Sequence, residues 1–403
     1  MNIKHLLLKN LNPDNNEFLQ ILSNISNSKK IHIYLVGGAV RDAILNLISN
    51  EIDIAVSGDI DYFFDSLSSF DIKILKKSEF NTFKIKFKSS IIDVSQTRKE
   101  AYLSKGSLPS IQPSTIKDDL TRRDFSMNSL AIEINDSDRF EIIDYFNGVN
   151  DINNKVIKVI HDYSFKDDPT RIFRAYRFSK RLSFDIDKNT IMLIKSDNKY
   201  INNLTPARVL NEYLKIFDED KFIDILNALN DIHIFKFFLN INVNFNNINF
   251  DQNLIPNFEY FILALSKYEN NKIYLDMLNK YPIPNKILTL VKNSFHIDQS
   301  MNLYKSNRLF KVDSILLSRL QNINNLSYVL EKLINPDNSL EIDILFNKIV
   351  HSSPIISTDD LIKLGVKKGP YIGSILKNIS IQKFHGNLVT KNDEVNYVMD
   401  FIN

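Results

Sequence analysis

Glu51 and Asp53 are two carboxylates one residue apart in the alternating stretch Glu51-Ile52-Asp53-Ile54. On a β-strand, residues two apart share a face. Carboxylates held that close repel, so either one protonates or a cation comes between them. Shortly before them, Gly37 and Gly38 stand where an apolar strand gives way to a helical pattern. Glycine lets an anion approach the backbone there, and the N–H groups that open a helix favour a phosphate. Arg41 falls one turn into that helix, placed for a charge-assisted contact. A third acid, Asp93, lies in another alternating segment, "SIIDVSQ". A phosphate site beside paired carboxylates suits metal-assisted nucleotide chemistry. Mg²⁺ binds through one or two carboxylates plus substrate phosphate oxygens, and two such ions clamp the attacking and leaving oxygens of an in-line displacement. A Gly-Gly turn or an acidic strand edge is ordinary by itself; together, at this spacing, they are not.

These residues need a scaffold of alternating strands and amphipathic helices. Period-2 alternation predicts strands at 31–36, 52–56, 72–75, 83–88, 91–95 and 130–134, with a helix over 39–48. From about residue 168 a 3.6-residue period takes over, in "DPTRIFRAYRFSKRL" (168–182), "PARVLNEYLKIF" (206–217) and "DKFIDILNAL" (220–229). The Asn-rich segment 238–253 reads as a loop between helices. The expected fold class is α+β. A head with a small mixed β-sheet spans 1–160, followed by an all-helical neck (161–220), body (221–350) and tail (351–403).

Composition narrows the partners. The chain has 403 residues, 50 of them basic and 48 acidic, for a net charge of +2, so any basic surface must be local. Cysteine is absent, which excludes disulfides and thiolate metal sites. Apolar runs such as "YFILAL" fall far short of the roughly 20 residues a membrane span requires. The N-terminal segment makes a poor signal peptide, so a cytoplasmic location with no membrane partner is expected.

One helix stands out. In "DDPTRIFRAYRFSKR", Asp168 suits the N-cap and Pro169 the first helical position, while Arg171, Arg174, Arg177 and Arg181 line one side. On composition alone, a solvated basic stripe explains it as well as a binding surface does.

The motif "LVGGAVRD", followed by an acid-x-Asp strand, resembles the nucleotidyltransferase superfamily that includes DNA polymerase β. More narrowly, the chain is similar to the bacterial-type (class II) tRNA nucleotidyltransferase and poly(A) polymerase family, the CCA-adding enzymes. "DDLTRRDFSMNSLAI" (118–132) looks like that family's Arg-Arg-Asp element, with Ser129 where Ala is usual. "DDPTRIFRAYRF" (167–178) looks like its nucleotide-reading helix, with Asp167 in place of Glu, and "DDLIKLGVKKGPYIGSIL" (359–376) resembles the tail of many members. The strong motifs cover about residues 30–220.

The resemblance implies roles. Glu51 and Asp53 hold Mg²⁺, two ions with Mn²⁺ as the alternative metal; Asp93 joins them as a catalytic acid if its strand neighbours theirs, an expectation from the alternating pattern and not from the resemblance. Gly37, Gly38 and Arg41 belong to the triphosphate site. Asp168 and Arg171 read the base edge of CTP or ATP, Arg174 and Arg177 contact phosphates and sugar, and Arg123 contacts the nucleotide. Asp124 reaches the ribose and Asn128 buttresses that turn. The implied activity adds C and/or A to the 3′ end of tRNA. A-adding-only and CC-adding-only forms, and a poly(A) polymerase, stay open on the same scaffold. The acceptor stem is read by shape and phosphate contacts, with Lys180, Arg181, Arg208 and Lys215 as neck candidates and Lys367 and Lys368 in the tail. One departure touches the metal itself: Glu51 stands where the family has Asp. Positioning is most of phosphoryl-transfer catalysis, so a catalytically weakened RNA-binding protein is the rival of another class.

Overall fold

The alternating segments of the N-terminal half fold as strands, and the 3.6-residue patterns fold as helices. The computed structural model describes residues 3–26, 31–49, 51–78, 81–102, 104–135, 140–234, 280–305 and 314–402. Contacts divide the chain into two units, Met1–Val243 and Asn244–Asn403.

In the first unit, α1 (Lys4–Asn10) and α2 (Pro13–Ile25) precede β1 (Ile31–Val36), α3 (Gly38–Ile44), β2 (Ile52–Gly58), α4 (Ile60–Ser66), β3 (Ile72–Lys77), β4 (Thr82–Phe87) and β5 (Ser90–Gln96). A hairpin of β6 (Arg98–Ala101) and β7 (Ser110–Pro113) follows, then α5 (Ile116–Thr121), β8 (Leu130–Ile134), β9 (Ile142–Asp144) and α6 (Gly148–Asn153). Next come β10 (Val156–Ile157), α7 (Ser164–Asp167), α8 (Thr170–Leu182), β11 (Asp185–Ile186), α9 (Lys188–Asp197), α10 (Pro206–Phe217) and α11 (Phe222–Asp231).

The main sheet runs β3-β4-β5-β2-β1-β8-β9. Only the β2–β5 pair is parallel. One face carries Ile52, Ile54, Ile85, Ile92 and Val94, all buried. On the other face α5 sets Ile116 and Leu120 over Tyr34, Val36, Ala55 and Ala131. That helix covers the β1–β2–β8 side, while Lys84 and Lys86 stay exposed on β4.

The second unit contains, among the described residues, helices alone: α12 (Asn285–Lys305), α13 (Ser314–Gln321), α14 (Asn325–Ile334), α15 (Ser339–Val350), α16 (Thr358–Lys363), α17 (Pro370–Phe384) and α18 (Lys391–Ile402). Ile297, Leu317, Leu320, Tyr328 and Leu345 form one core, and Leu361, Ile375, Ile379 and Val398 another. The buried Glu394 accepts from the N–H groups of Ile355 and Ile356 and pairs with Lys383 at 2.6 Å, fixing the start of the second cluster. The fold is therefore α+β, with an N-terminal mixed sheet and a helical remainder. Among the described residues no helix is long and apolar enough to cross a membrane.

Two expected strands, 31–36 and 130–134, appear with those bounds. The helix expected over 39–48 ends at Ile44, because the chain turns left-handed at Asn46, φ 53°. The loop expected at 238–253 lies outside the described residues.

Candidate active site

The parallel register of β2 and β5 sets Asp53 opposite Asp93, and β4 extends the row by setting Lys84 opposite Asp93. Lys84 pairs with Asp93 at 3.2 Å. Glu51 precedes the first residue of β2 and is exposed. Asp53 opens onto a cavity of about 890 Å³, also lined by Glu51, Asp93 and Gly37. Asp53 is itself solvent-exposed at that opening, while the protein close behind it still desolvates its charged form. Burial accordingly raises its pKa, against the opposing charge of Arg123, and the negative charges of Asp93 and Glu51 push it further up. This shortage of positive charge is what a divalent cation relieves. Among the described residues no three acidic or imidazole groups cluster to chelate one ion unaided. The donor set therefore fits Mg²⁺ held by one or two carboxylates, with substrate oxygens completing the shell.

Gly37 has φ +73°, a conformation that favours glycine. Its N–H donates to the Leu130 carbonyl at 3.0 Å. This corrects the expectation that both glycines offer N–H groups to an anion: Gly37 spends its own on the sheet and contributes open space instead. A Cβ there would stand 2.7 Å from Arg123 Nη1 and 3.7 Å from Asp53 Oδ2. Arg123 thus leans across the glycine toward the acids. Its Nη2 donates to Asp119 at 3.1 Å, while its buried Nε has no hydrogen-bond partner among the described residues. A phosphate at the cavity edge would satisfy such a donor.

Asp119 was not singled out by the sequence, yet it anchors this wall. Fully buried on α5, it accepts from Arg122 at 2.8 Å and from Arg123. Burial alone would raise its carboxyl, but the Arg123 and Arg122 guanidiniums outweigh that and lower it. Arg122 also reaches Glu100 at 3.2 Å, and Glu100 in turn accepts from Arg98 and from the Tyr102 hydroxyl at 2.7 Å. Asp119 could have been found at i−3 and i−4 from the two arginines, the spacing of helical ion pairs. Glu100 had no such signal, because a hairpin brings it in.

A second chain of bonds ties α3 to α8. Arg41 Nη1 donates to Asn128 Oδ1 at 2.7 Å, Asn128 Nδ2 to Asp124 Oδ1 at 3.1 Å, and Arg174 Nε to Asp124 Oδ2 at 2.7 Å. Asn128 thereby buttresses the turn. Arg41 is buried, its guanidinium divided between Asn128 and Asp42. Asp124 also accepts from the Phe125 N–H and from Arg174 Nη2, which fills the roughly four acceptor positions of a carboxylate. It braces Arg174 and itself lines the cavity. Burial would raise the Asp124 pKa, but Arg174, Asn128 and Arg171 hold it at about 2.

Asp168 and Arg171 line the same cavity. Asp168 Oδ1 takes Thr170 and Arg208 Nη2, the latter at 2.7 Å, and Oδ2 takes no bond among the described residues. Arg171 donates to Ser164 Oγ at 2.8 Å and to the Arg122 carbonyl at 2.6 Å, leaving further donors of its five. Both keep capacity for a ligand. Asp167 stands back from them, 4.0 Å from His161 Nε2, with its pKa raised by burial.

Other candidates are placed differently. Arg177 does not line the cavity; it is buried, with Glu212 and Glu219 each 3.4 Å away. Arg181, exposed and paired with Glu219, and Arg208, paired with Asp168, also line the cavity. Lys180 is half-buried on α8 outside the cavity, Lys215 pairs with Glu212 at 2.8 Å, and Lys367 and Lys368 are exposed before α17. Phe178, also unforeseen, lines the cavity with the guanidiniums of Arg41, Arg174, Arg177 and Arg181 at 5.2–5.6 Å from its ring centre. The resulting cavity sets Glu51, Asp53 and Asp93 beside the guanidiniums of Arg123, Arg171 and Arg174.

Family models for the "Poly A polymerase head domain" and for the "Probable RNA and SrmB- binding site of polymerase A" match residues 33–158 and 183–241. An A-adding tRNA nucleotidyltransferase of Geobacter sulfurreducens is 34% identical over 239 residues, covering 58% of this chain and 27% of that protein. The chain thus spans about a quarter of that relative's length. An A-adding tRNA nucleotidyltransferase of Halalkalibacterium halodurans is 24% identical over 422 residues, covering 100% of this chain and 96% of that one. Among solved structures, a CCA-adding enzyme in its apo form II superposes with a TM-score of 0.78 at 25% identity, covering 100% of this chain and 99% of that one.

Proposed function

We propose, from the premise that this chain belongs to the bacterial-type tRNA nucleotidyltransferase and poly(A) polymerase family, that it adds C and/or A to the 3′ end of tRNA without a template. The terminal 3′-hydroxyl attacks the α-phosphate of CTP or ATP, a new phosphodiester forms, and pyrophosphate leaves. One observation carries this reading: Asp53 opposite Asp93, beside a left-handed glycine over which Arg123 leans.

Glu51 and Asp53 are the residues that would hold Mg²⁺, two ions in this reading, with Mn²⁺ the alternative. Bound there, Mg²⁺ supplies Lewis-acid stabilisation of the developing charge. Asp93 completes the acid row. Arg123, steered by Asp119, offers its unfilled donors to a nucleotide phosphate across Gly37. Gly38, Arg41 and Arg174 shape the rest of that wall, Arg174 through its pairing with Asp124.

Asp168 and Arg171 suit a base edge with an amino donor beside an acceptor, which cytosine and adenine share. The free Oδ2 of Asp168 accepts from the amino group, and Arg171 donates to the ring acceptor. Lys180, Lys367 and Lys368 are the candidates for outward contact with the tRNA. The division into head, neck, body and tail at 160, 220 and 350, and a cytoplasmic location, belong to the same reading.

The test is incorporation of labelled CTP or ATP into tRNA transcripts lacking CCA, ending in CC, or complete. Addition of A only to the CC-ending transcript marks an A-adding enzyme, and long A tails mark a poly(A) polymerase. No incorporation with Mg²⁺ or Mn²⁺ overturns the reading and leaves an RNA-binding protein. Asp53→Ala should abolish incorporation while RNA binding persists, and Glu51→Asp should keep or raise it.

A further inference from the structure

We propose that the exposed lysines of β3 and β4 form a phosphate-binding track for the RNA strand whose 3′ end reacts, an inference that rests on the RNA nucleotidyltransferase reading. The register of this hairpin puts Lys73 opposite Lys86 and Lys76 opposite Lys84. Like charges directly opposite one another on a sheet are destabilising, so two such pairs call for a compensating anion. Lys84 finds one in Asp93. Among the described residues no carboxylate pairs with Lys73, Lys76 or Lys86.

The face is the one that carries the chemistry. Lys84 and Lys86 alternate with the buried Phe83, Ile85 and Phe87, and Lys84 lies opposite Asp93, itself opposite Asp53. Lysines on an outermost strand blunt its edge against pairing with other chains. That accounts for β3, but not for Lys84 and Lys86 on β4, an interior strand of the sheet.

Reaction geometry gives the track its direction. Gly37 and the Arg123 guanidinium lie on the β1 side of the acid row, and the lysines lie on the opposite side, across β4 to β3. In an in-line displacement the attacking oxygen and the leaving group are on opposite sides of the phosphorus. With the departing pyrophosphate toward Gly37, the RNA terminus arrives over β4 and β3. On this face α5 covers β1, β2 and β8, while Lys73, Lys76, Lys84 and Lys86 stay exposed on β3 and β4. A flexible polyanion is the occupant that both the charge and the continuity with the acid row select.

The Lys73→Ala/Lys86→Ala double variant tests this, with Lys84 left in place because it touches Asp93. A labelled tRNA ending in CC is titrated in the absence of nucleotide, from low salt upward. Loss of two phosphate contacts should weaken binding on the order of tenfold at about 0.1 M salt, reduce the salt slope by about 1.5, and converge with wild type near 1 M. The KM for that tRNA should rise by a similar factor, with the KM for ATP changing less than about twofold on the uniform-binding argument. The Lys73→Arg/Lys86→Arg variant should restore both. Melting temperature should hold or rise, since repulsion is relieved; this separates lost binding from lost folding. Unchanged affinity and salt slope would mean a solvated edge only and overturn the track. Binding is read without catalysis, so wild-type protein that holds RNA but adds no nucleotide defeats the activity while leaving the track to stand or fall on its own slope.

Discussion

Asp53 and Asp93 stand opposite one another across β2 and β5, and Lys84 pairs with the second of them. Asp53 is left with its pKa raised, by burial first and by its acidic neighbours next. A carboxyl whose folded pKa is raised contributes stability below its ordinary value of 3.8, and that contribution is lost as pH rises through the folded value. At neutral pH its ionised form is therefore a destabilising charge. Metal-free Asp53→Asn should melt higher than metal-free wild type at pH 7, and the gap should vanish on acidification below the ordinary carboxylate range. Mg²⁺ should raise the melting temperature of wild type, by the equivalent of about 2.7 kcal/mol at a hundredfold excess over its Kd, and leave Asp53→Asn nearly unmoved. Equal responses of the two proteins would place the metal elsewhere.

Gly37→Ala probes the glycine cradle. The backbone there, φ +73° and ψ −126°, is one that residues with a Cβ seldom adopt, at a cost on the order of 1–3 kcal/mol. The new methyl would also meet Arg123 Nη1 at 2.7 Å. Arg123 must swing off the glycine, so the KM for nucleotide should rise by about tenfold, the equivalent of one charge-assisted hydrogen bond. Steady-state kinetics alongside a urea melt separate the two effects. A stability loss with unchanged KM would show that Arg123 does not bind the nucleotide.

Much of this site was legible because short-range periodicity encodes it. Short, mostly apolar runs gave β1 and β8 their bounds, and the apolar stripe of 206–217 gave α10 its bounds. Strands β6 (Arg-Lys-Glu-Ala) and β7 (Ser-Ile-Gln-Pro) were not, since four polar-rich residues carry no usable period. Their pairing is what brings Glu100 to Arg122, 22 positions away. Ion pairs across such distances follow from topology, and no local spacing signals them. Arg177 shows the same limit. Its helical spacing places it with Arg174 and Arg181, and only the packing of α10 against α8 turns it toward Glu212.

The Asp124–Arg174 pair carries a stability signature with a defined pH window. Asp124 is depressed from 3.8 to about 2, so its contribution is present above 3.8 and lost as pH falls through about 2. Asp124→Asn removes the charge that compensates Arg174 and should cost about 3 kcal/mol at pH 7, the scale for breaking a buried pair. Denaturant melts at stepped pH should show the gap between variant and wild type closing as pH drops from 3.8 toward 2. A gap that stays constant with pH would assign the loss to packing instead of to the charge.

Arg177 and Arg171 make a matched pair of opposite expectation on one helix. Arg171 lines the cavity, whereas Arg177 is directed at Glu212 and Glu219. Each of those acids keeps another cation when Arg177 is removed: Lys215 for Glu212 and Arg181 for Glu219. No buried charge is left alone, so Arg177→Ala should cost about 1–3 kcal/mol, within the ordinary range for a single substitution. Its KM for CTP or ATP should stay within about twofold of wild type, because a residue that makes no contact with substrate removes no binding energy. Arg171→Ala should do the reverse in kinetics, lowering kcat/KM by about tenfold or more for the loss of a charged hydrogen bond and blunting discrimination among the four nucleotides. Incorporation assays with all four triphosphates, run beside thermal melts, read both variants. If Arg177→Ala raised KM with its melting temperature unchanged, its guanidinium would have to leave the two glutamates and contact the nucleotide.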